Sequence, residues 1–176
     1  MNFDLKKSIE ILSRTPDMYL TLFSNSNHGL DKINEGEGTW NGYNIMGHLI
    51  HGEKTDWIPR SEIILGNDEN KVFEPYDRYA QDQLHSSQTI EQLLTEFKTL
   101  RRENVEKLIS WDLSESDLNK EGIHPDLGAV TLRQLISTWT IHDMAHLNQI
   151  SRALVRHYAE DVGPWKEYTR LLNQEM

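Results

Sequence analysis

The chain has 176 residues, no cysteine and a formal net charge of −10. That length suits one domain with a core of its own. The missing cysteine excludes disulfides, thiolate metal sites and a cysteine nucleophile supplied by the chain itself. The acidic balance argues against a nucleic-acid partner, because it repels a phosphate backbone. No stretch approaches the about 18–20 apolar residues of a membrane span. Charges interrupt every apolar run of residues 1–14, so this segment does not read as a signal peptide. The expectation is a single-domain, cytoplasmic protein over residues 1–176, with no membrane partner.

Residues 2–13 read as a short amphipathic helix with Leu5, Ile9 and Leu12 on one side. Thr15-Pro16-Asp17 then predicts a fresh helix start, since Thr caps, Pro suits the first helical position and Asp complements the helix dipole. Residues 24–39 are polar and carry glycine, as a loop does. Residues 41–65 read as a long helix that Pro59 kinks or divides. Residues 66–86 are polar and irregular. Over 88–111 the residues Ile90, Leu93, Leu94, Phe97, Leu100, Leu108 and Trp111 recur at helical spacing, behind a capping box from Thr89 to Gln92. Residues 112–130 are a connection. Residues 131–159 form another long helix, stopped before Gly163-Pro164, and a last short helix is expected around Trp165–Leu172. No segment alternates with period two. The fold class predicted is all-α, a four-helix bundle with long crossover connections.

Two histidines carry the functional argument. The inward stripe of helix 131–159 is Leu132, Leu135, Trp139, His142, His146, Ile150 and Ala153. His142 and His146 are thus one turn apart on the apolar face, with Cβ atoms about 5–6 Å from each other. Two imidazoles so placed can grip one ion; two satisfied core histidines are the alternative. The zinc-protease pattern is absent, because Asp143 rather than Glu follows the first His. A further ligand has to come from another helix. Helix 41–65 offers His48, with His51 one turn on as a competitor. Gly47 and Gly52 beside them each weaken a helix interior by about 1 kcal/mol against Ala, and close helix approach or room for a ligand would explain them.

Residues 40–57, WNGYNIMGHLIHGEKTDW, and residues 124–150, HPDLGAVTLRQLISTWTIHDMAHLNQI, resemble the two histidine motifs of the DinB/YfiT-like family of helical metalloproteins. The resemblance implies a four-helix bundle, a homodimer, and one divalent metal ion on His48, His142 and His146. Three neutral imidazoles suit zinc, nickel, copper or iron, with zinc and nickel the leading expectations. They leave an ion its full charge and an open position, where a water or thiol loses its proton more readily. Family members include thiol S-transferases and a thiol-dependent isomerase. The resemblance therefore implies a metal-dependent transferase that activates a low-molecular-weight thiol on a small-molecule substrate. A non-catalytic metal-binding stress protein and a metal-dependent hydrolase are the alternatives. Around the site, His51 is a candidate support for His48 and His124 a candidate for the pocket mouth. Trp40, Trp57 and Trp139 are candidate cavity walls. Asp143 is either a residue that orients an imidazole or one that faces solvent.

Overall fold

A proline stands inside the first helix, which nevertheless does not break. The computed structural model describes residues 3–77 and 87–172, and its helix α1 runs from Leu5 to Phe23 with Pro16 in the interior. The two helical pieces predicted here are one. Proline lacks the N–H that would bond the carbonyl four residues back, which is that of Leu12. That carbonyl instead accepts from Arg101 Nη1 at 3.1 Å and from Thr15 Oγ1 at 3.3 Å. A distant arginine thus supplies the bond that the proline removes.

After a loop with one 3-10 turn, Leu30–Lys32, helix α2 spans Gly42–Thr55 and opens on a capping box between Asn41 and Asn44. Asp56, at φ −111° and ψ −73°, separates it from α3, Trp57–Leu65. The predicted division is present, but it falls three residues before Pro59. The proline lies in the first turn of α3, where a missing N–H leaves no helical bond unmade. Of the irregular stretch read over 66–86, residues 78–86 lie outside the described ones. Helix α4, Ile90–Ser110, starts with the predicted Thr89–Gln92 capping box.

The connection before the last long helix has structure that its sequence does not announce. A single turn of helix, α5 (Glu115–Leu118), precedes the strands β1 (Glu121–His124) and β2 (Gly128–Thr131). They pair antiparallel with Glu121 opposite Thr131. The strands are four residues each and largely exposed, so no apolar alternation marks them. Phe73 N–H donates to the Ile123 carbonyl at 2.9 Å and Ile123 N–H to that of Lys71 at 2.8 Å, which ties the 71–73 segment to β1. Gly122 permits this approach, because a Cβ there would lie 2.5 Å from the Phe73 ring.

Helix α6, Leu132–His157, begins at a capping box between Thr131 and Gln134. The last short helix, expected around Trp165–Leu172, takes the form of two 3-10 turns, Gly163–Tyr168 and Arg170–Leu172. Helix α1 packs on α4 and α6, and α2 packs on α4 and α3, giving the four-helix bundle. Its core has two apolar clusters, one around Leu12, Trp57, Leu108 and Trp139, the other around Tyr19, Leu49, Phe97 and Ile150. No helix among the described residues is long and apolar enough to cross a membrane.

Candidate metal centre

His48 lies on the buried face of α2, and His142 and His146 lie half-buried on α6. Their Nε2 atoms meet. His48 Nε2 and His142 Nε2 are 3.0 Å apart, and His146 Nε2 is 3.2 Å from His142 Nε2. Among the described residues this is a group of nitrogen or oxygen donors able to hold a metal ion, all within 4.8 Å of one another.

The donor chemistry fits a cation. An imidazole Nε2 has one hydrogen or one lone pair, never both. His142 Nε2 faces two other Nε2 atoms, so hydrogen bonds alone cannot satisfy both contacts well. Three lone pairs on one ion can. Metal–nitrogen bonds of about 2.0–2.1 Å put neighbouring ligand atoms about 2.8–3.0 Å apart in octahedral and about 3.3–3.4 Å apart in tetrahedral geometry. Two of the rings are also held in the neutral form a metal needs. Burial pushes the His142 imidazole down to about 3, with His146 and then Arg101 adding to the effect. Burial lowers His146 too, against an opposing hydrogen bond from Gln149 and the charge of Asp143.

Aromatic and polar neighbours set the rings. Trp57 meets His142 at 5.2 Å between centroids, and Trp40 lies 4.9 Å from His48 and 6.3 Å from His146. Gly52 lets Trp57 reach this position, since a Cβ there would lie 3.2 Å from its Nε1. On the outer nitrogens, His48 Nδ1 is 3.2 Å from Tyr76 Oη and His146 Nδ1 is 3.1 Å from Gln149 Oε1. His142 Nδ1 is buried with no hydrogen-bond partner among the described residues.

The histidines stand on a cavity of about 980 Å³. Trp40, Trp57, Arg60, Tyr76, Gln134 and Arg152 are among its walls. Asp56 is there as well, ion-paired to Arg60 at 2.7 Å. Its carboxyl is raised to about 6 by burial, which Arg60 opposes and Glu53 reinforces. Glu35, in the loop before α2, binds Arg152 of α6 through two hydrogen bonds at 3.0 and 2.7 Å and closes one side.

The other predicted residues separate. His51 is buried 5.0 Å from the Tyr76 ring and is outside the donor group. His124 lines the cavity, and its Nδ1 accepts the N–H groups of Asp126 and Leu127, so it also shapes the hairpin turn. Trp40 and Trp57 are walls; Trp139 lies beneath them, fully buried and stacked on Trp57 at 6.0 Å. Asp143 does not face solvent. It is 0 % exposed, and its carboxylate is taken up by Arg101 and Thr15 rather than by a ring. It is turned from the two histidines into the bundle, where the four helices meet.

Sequence reasoning misses Tyr76, Gln149 and Arg101. Gln149 was within reach, being three residues after His146 and therefore on the same face. Arg101 was too: it interrupts the apolar stripe of α4 between Phe97 and Val105, both buried. Tyr76 lies in an irregular segment whose path no periodicity reveals.

No curated protein matches the chain. The fold resembles that of YfiT from Bacillus subtilis, described as a probable metal-dependent hydrolase with an unusual four-helix bundle topology. The TM-score is 0.72 and the identity 19%, over 86% of each chain. The model of the DinB superfamily matches residues 11–150. That span includes His48, His142 and His146, and the chain belongs to the DinB superfamily.

Proposed function

We propose that His48, His142 and His146 hold one divalent ion, zinc or nickel first, and that the protein is an enzyme acting on a small molecule in the adjoining cavity. The observation that carries this reading is the convergence of three Nε2 atoms, 3.0 and 3.2 Å apart, on the wall of a cavity of about 980 Å³. A structural zinc site is usually closed by four protein ligands; three histidines on an open cavity suit a working one. When bound, the ion supplies Lewis acidity, lowering the pKa of a water or thiol at its remaining position.

The chain's own residues do the rest. With each Nε2 committed, Nδ1 of His48 and of His146 carries the proton and donates to Tyr76 Oη and Gln149 Oε1, fixing ring and tautomer. Trp40 and Trp57 exclude water from one side of the rings. Asp56, with its carboxyl at about 6, is suited to take up and return a proton near neutral pH.

The reaction we favour is transfer of a low-molecular-weight thiol to an electrophilic small molecule. The cavity has room for two small reactants, and a chain without cysteine must borrow any thiol it uses. Hydrolysis is the second reading, favoured by the resemblance to YfiT with its own description. Zinc- and nickel-loaded protein incubated with electrophiles, with and without a panel of small thiols, tests both. Thiol-dependent turnover that disappears in His142→Ala is the expected result. Thiol-independent ester or amide cleavage would select hydrolysis. No turnover under any condition would leave a metal-binding protein without catalysis. In the same reading the protein is a homodimer, and a monomer mass by light scattering at micromolar concentration would contradict that.

A further inference from the structure

Each long helix contributes one residue to a polar layer across the middle of the bundle: Thr15 from α1, Glu53 from α2, Arg101 from α4 and Asp143 from α6. All four are at most 2 % exposed. Arg101 reaches both Asp143 oxygens and donates from Nη2 to Glu53 Oε1 at 2.7 Å. Thr15 donates to Asp143. Trp139 Nε1 and Asn104 Nδ2, each at 2.9 Å, complete the partners of Glu53.

Every carboxylate oxygen of the layer has a hydrogen-bond partner among the described residues, while the buried Arg101 Nε has none, and the layer is not neutral. Two carboxylates and one guanidinium sum to a formal charge of −1, and its other members are neutral donors. The nearby Asp56–Arg60 ion pair adds nothing to the sum. A buried excess charge is unfavourable unless an opposite charge lies near. The neighbour is the three-histidine group. Asp143 falls between His142 and His146 on α6, and Glu53 lies five residues after His48 on α2. Trp139 links the two regions: it donates to Glu53 and stacks on Trp57, whose edge meets His142. Neutral imidazoles contribute no charge, so a divalent ion among them brings the missing positive charge.

We propose that the buried Glu53–Arg101–Asp143 layer is the counter-charge of the metal centre, so that Glu53 and Asp143 set metal affinity through space without touching the ion. This rests on the reading of His48, His142 and His146 as the centre. Neither Glu53 nor Asp143 hydrogen-bonds to a ligand ring, so their effect on the ion is one of charge rather than of ring orientation.

The test is zinc affinity, by competition with a chromophoric chelator, for wild type, Asp143→Asn, Glu53→Gln and Thr15→Val, with the melting temperature of each metal-free protein recorded alongside. Both charge variants should bind zinc about 10–100-fold more weakly, and Thr15→Val, which loosens the same layer without changing its charge, within about threefold of wild type. Two charge variants are used so that Glu53→Gln carries the test if Asp143→Asn does not fold. Lower metal-free stability with unchanged zinc affinity in the charge variants would make the layer purely structural and overturn the proposal. So would an equal loss of affinity in Thr15→Val. Wild-type protein that binds no zinc or nickel, or binds them equally well as His142→Ala, would overturn the centre itself, a different result from either.

Discussion

His48 Nε2 and His142 Nε2 stand 3.0 Å apart although 94 positions separate the two residues in the chain. An ion at that point joins α2 to α6 and binds only the folded chain. It therefore stabilises by mass action, about 2.7 kcal/mol at a free concentration 100 times Kd. For a chain of this length that is on the order of 5–10 °C in melting temperature. Wild type should show this rise on adding zinc, and His48→Ala, His142→Ala and His146→Ala should each lose most of it. If the histidines were only core packing, each variant would melt lower by the same amount with zinc and with chelator.

Arg101 satisfies the carbonyl freed by Pro16 and two buried carboxylates at once. Asp143 and Glu53 outweigh its burial and hold the guanidinium above its ordinary pKa. Arg101→Met would leave both carboxylates without their cation, and breaking such a buried pair costs about 3–5 kcal/mol. Urea unfolding at neutral pH checks this. A loss below about 1 kcal/mol, the range of an exposed pair, would contradict the role given to the layer.

Asp56 has its carboxyl raised from 3.8 to about 6, by burial first, with Arg60 opposing and Glu53 adding. Between these values the folded chain holds a proton that the unfolded chain has released, so stability falls as pH rises from about 4 to 6. In Asp56→Asn that loss is absent. Measured in chelator, the stability of the variant relative to wild type should therefore increase across this window, by on the order of 2–3 kcal/mol. A difference independent of pH would show that Asp56 is not held in this way.

Gly122 lies under the Phe73 ring and Ile64, where an added Cβ would sit 2.5–2.9 Å from three side-chain atoms. Gly122→Ala forces the hairpin away from the 71–73 segment and should destabilise by about 1–3 kcal/mol, as overpacking does. Chemical denaturation of the variant checks it. An unchanged midpoint would mean that the hairpin is free to shift.

The long helices and the two histidine positions on α6 were legible because they rest on periodicity, which the sequence carries residue by residue. His48 as the third member needed a resemblance, since periodicity alone left His51 equally placed. The 3.0 Å approach of His48 to His142 then separates them. What stayed hidden depends on contacts far apart in the chain. The unbroken α1 needs Arg101 to bond Leu12, 89 positions away. The role of Asp143 needs Thr15, 128 positions away. The hairpin is tied to the 71–73 segment by two backbone bonds and by Phe73 packed against Gly122, none of which leaves a periodic apolar pattern in its strands.

The most direct measurement is the metal content of protein purified without a histidine tag and loaded with zinc or nickel. Elemental analysis should give one ion per chain for wild type and a large loss of occupancy for each of His48→Ala, His142→Ala and His146→Ala. One full ion per chain retained in all three variants would contradict the assignment of the centre to these histidines.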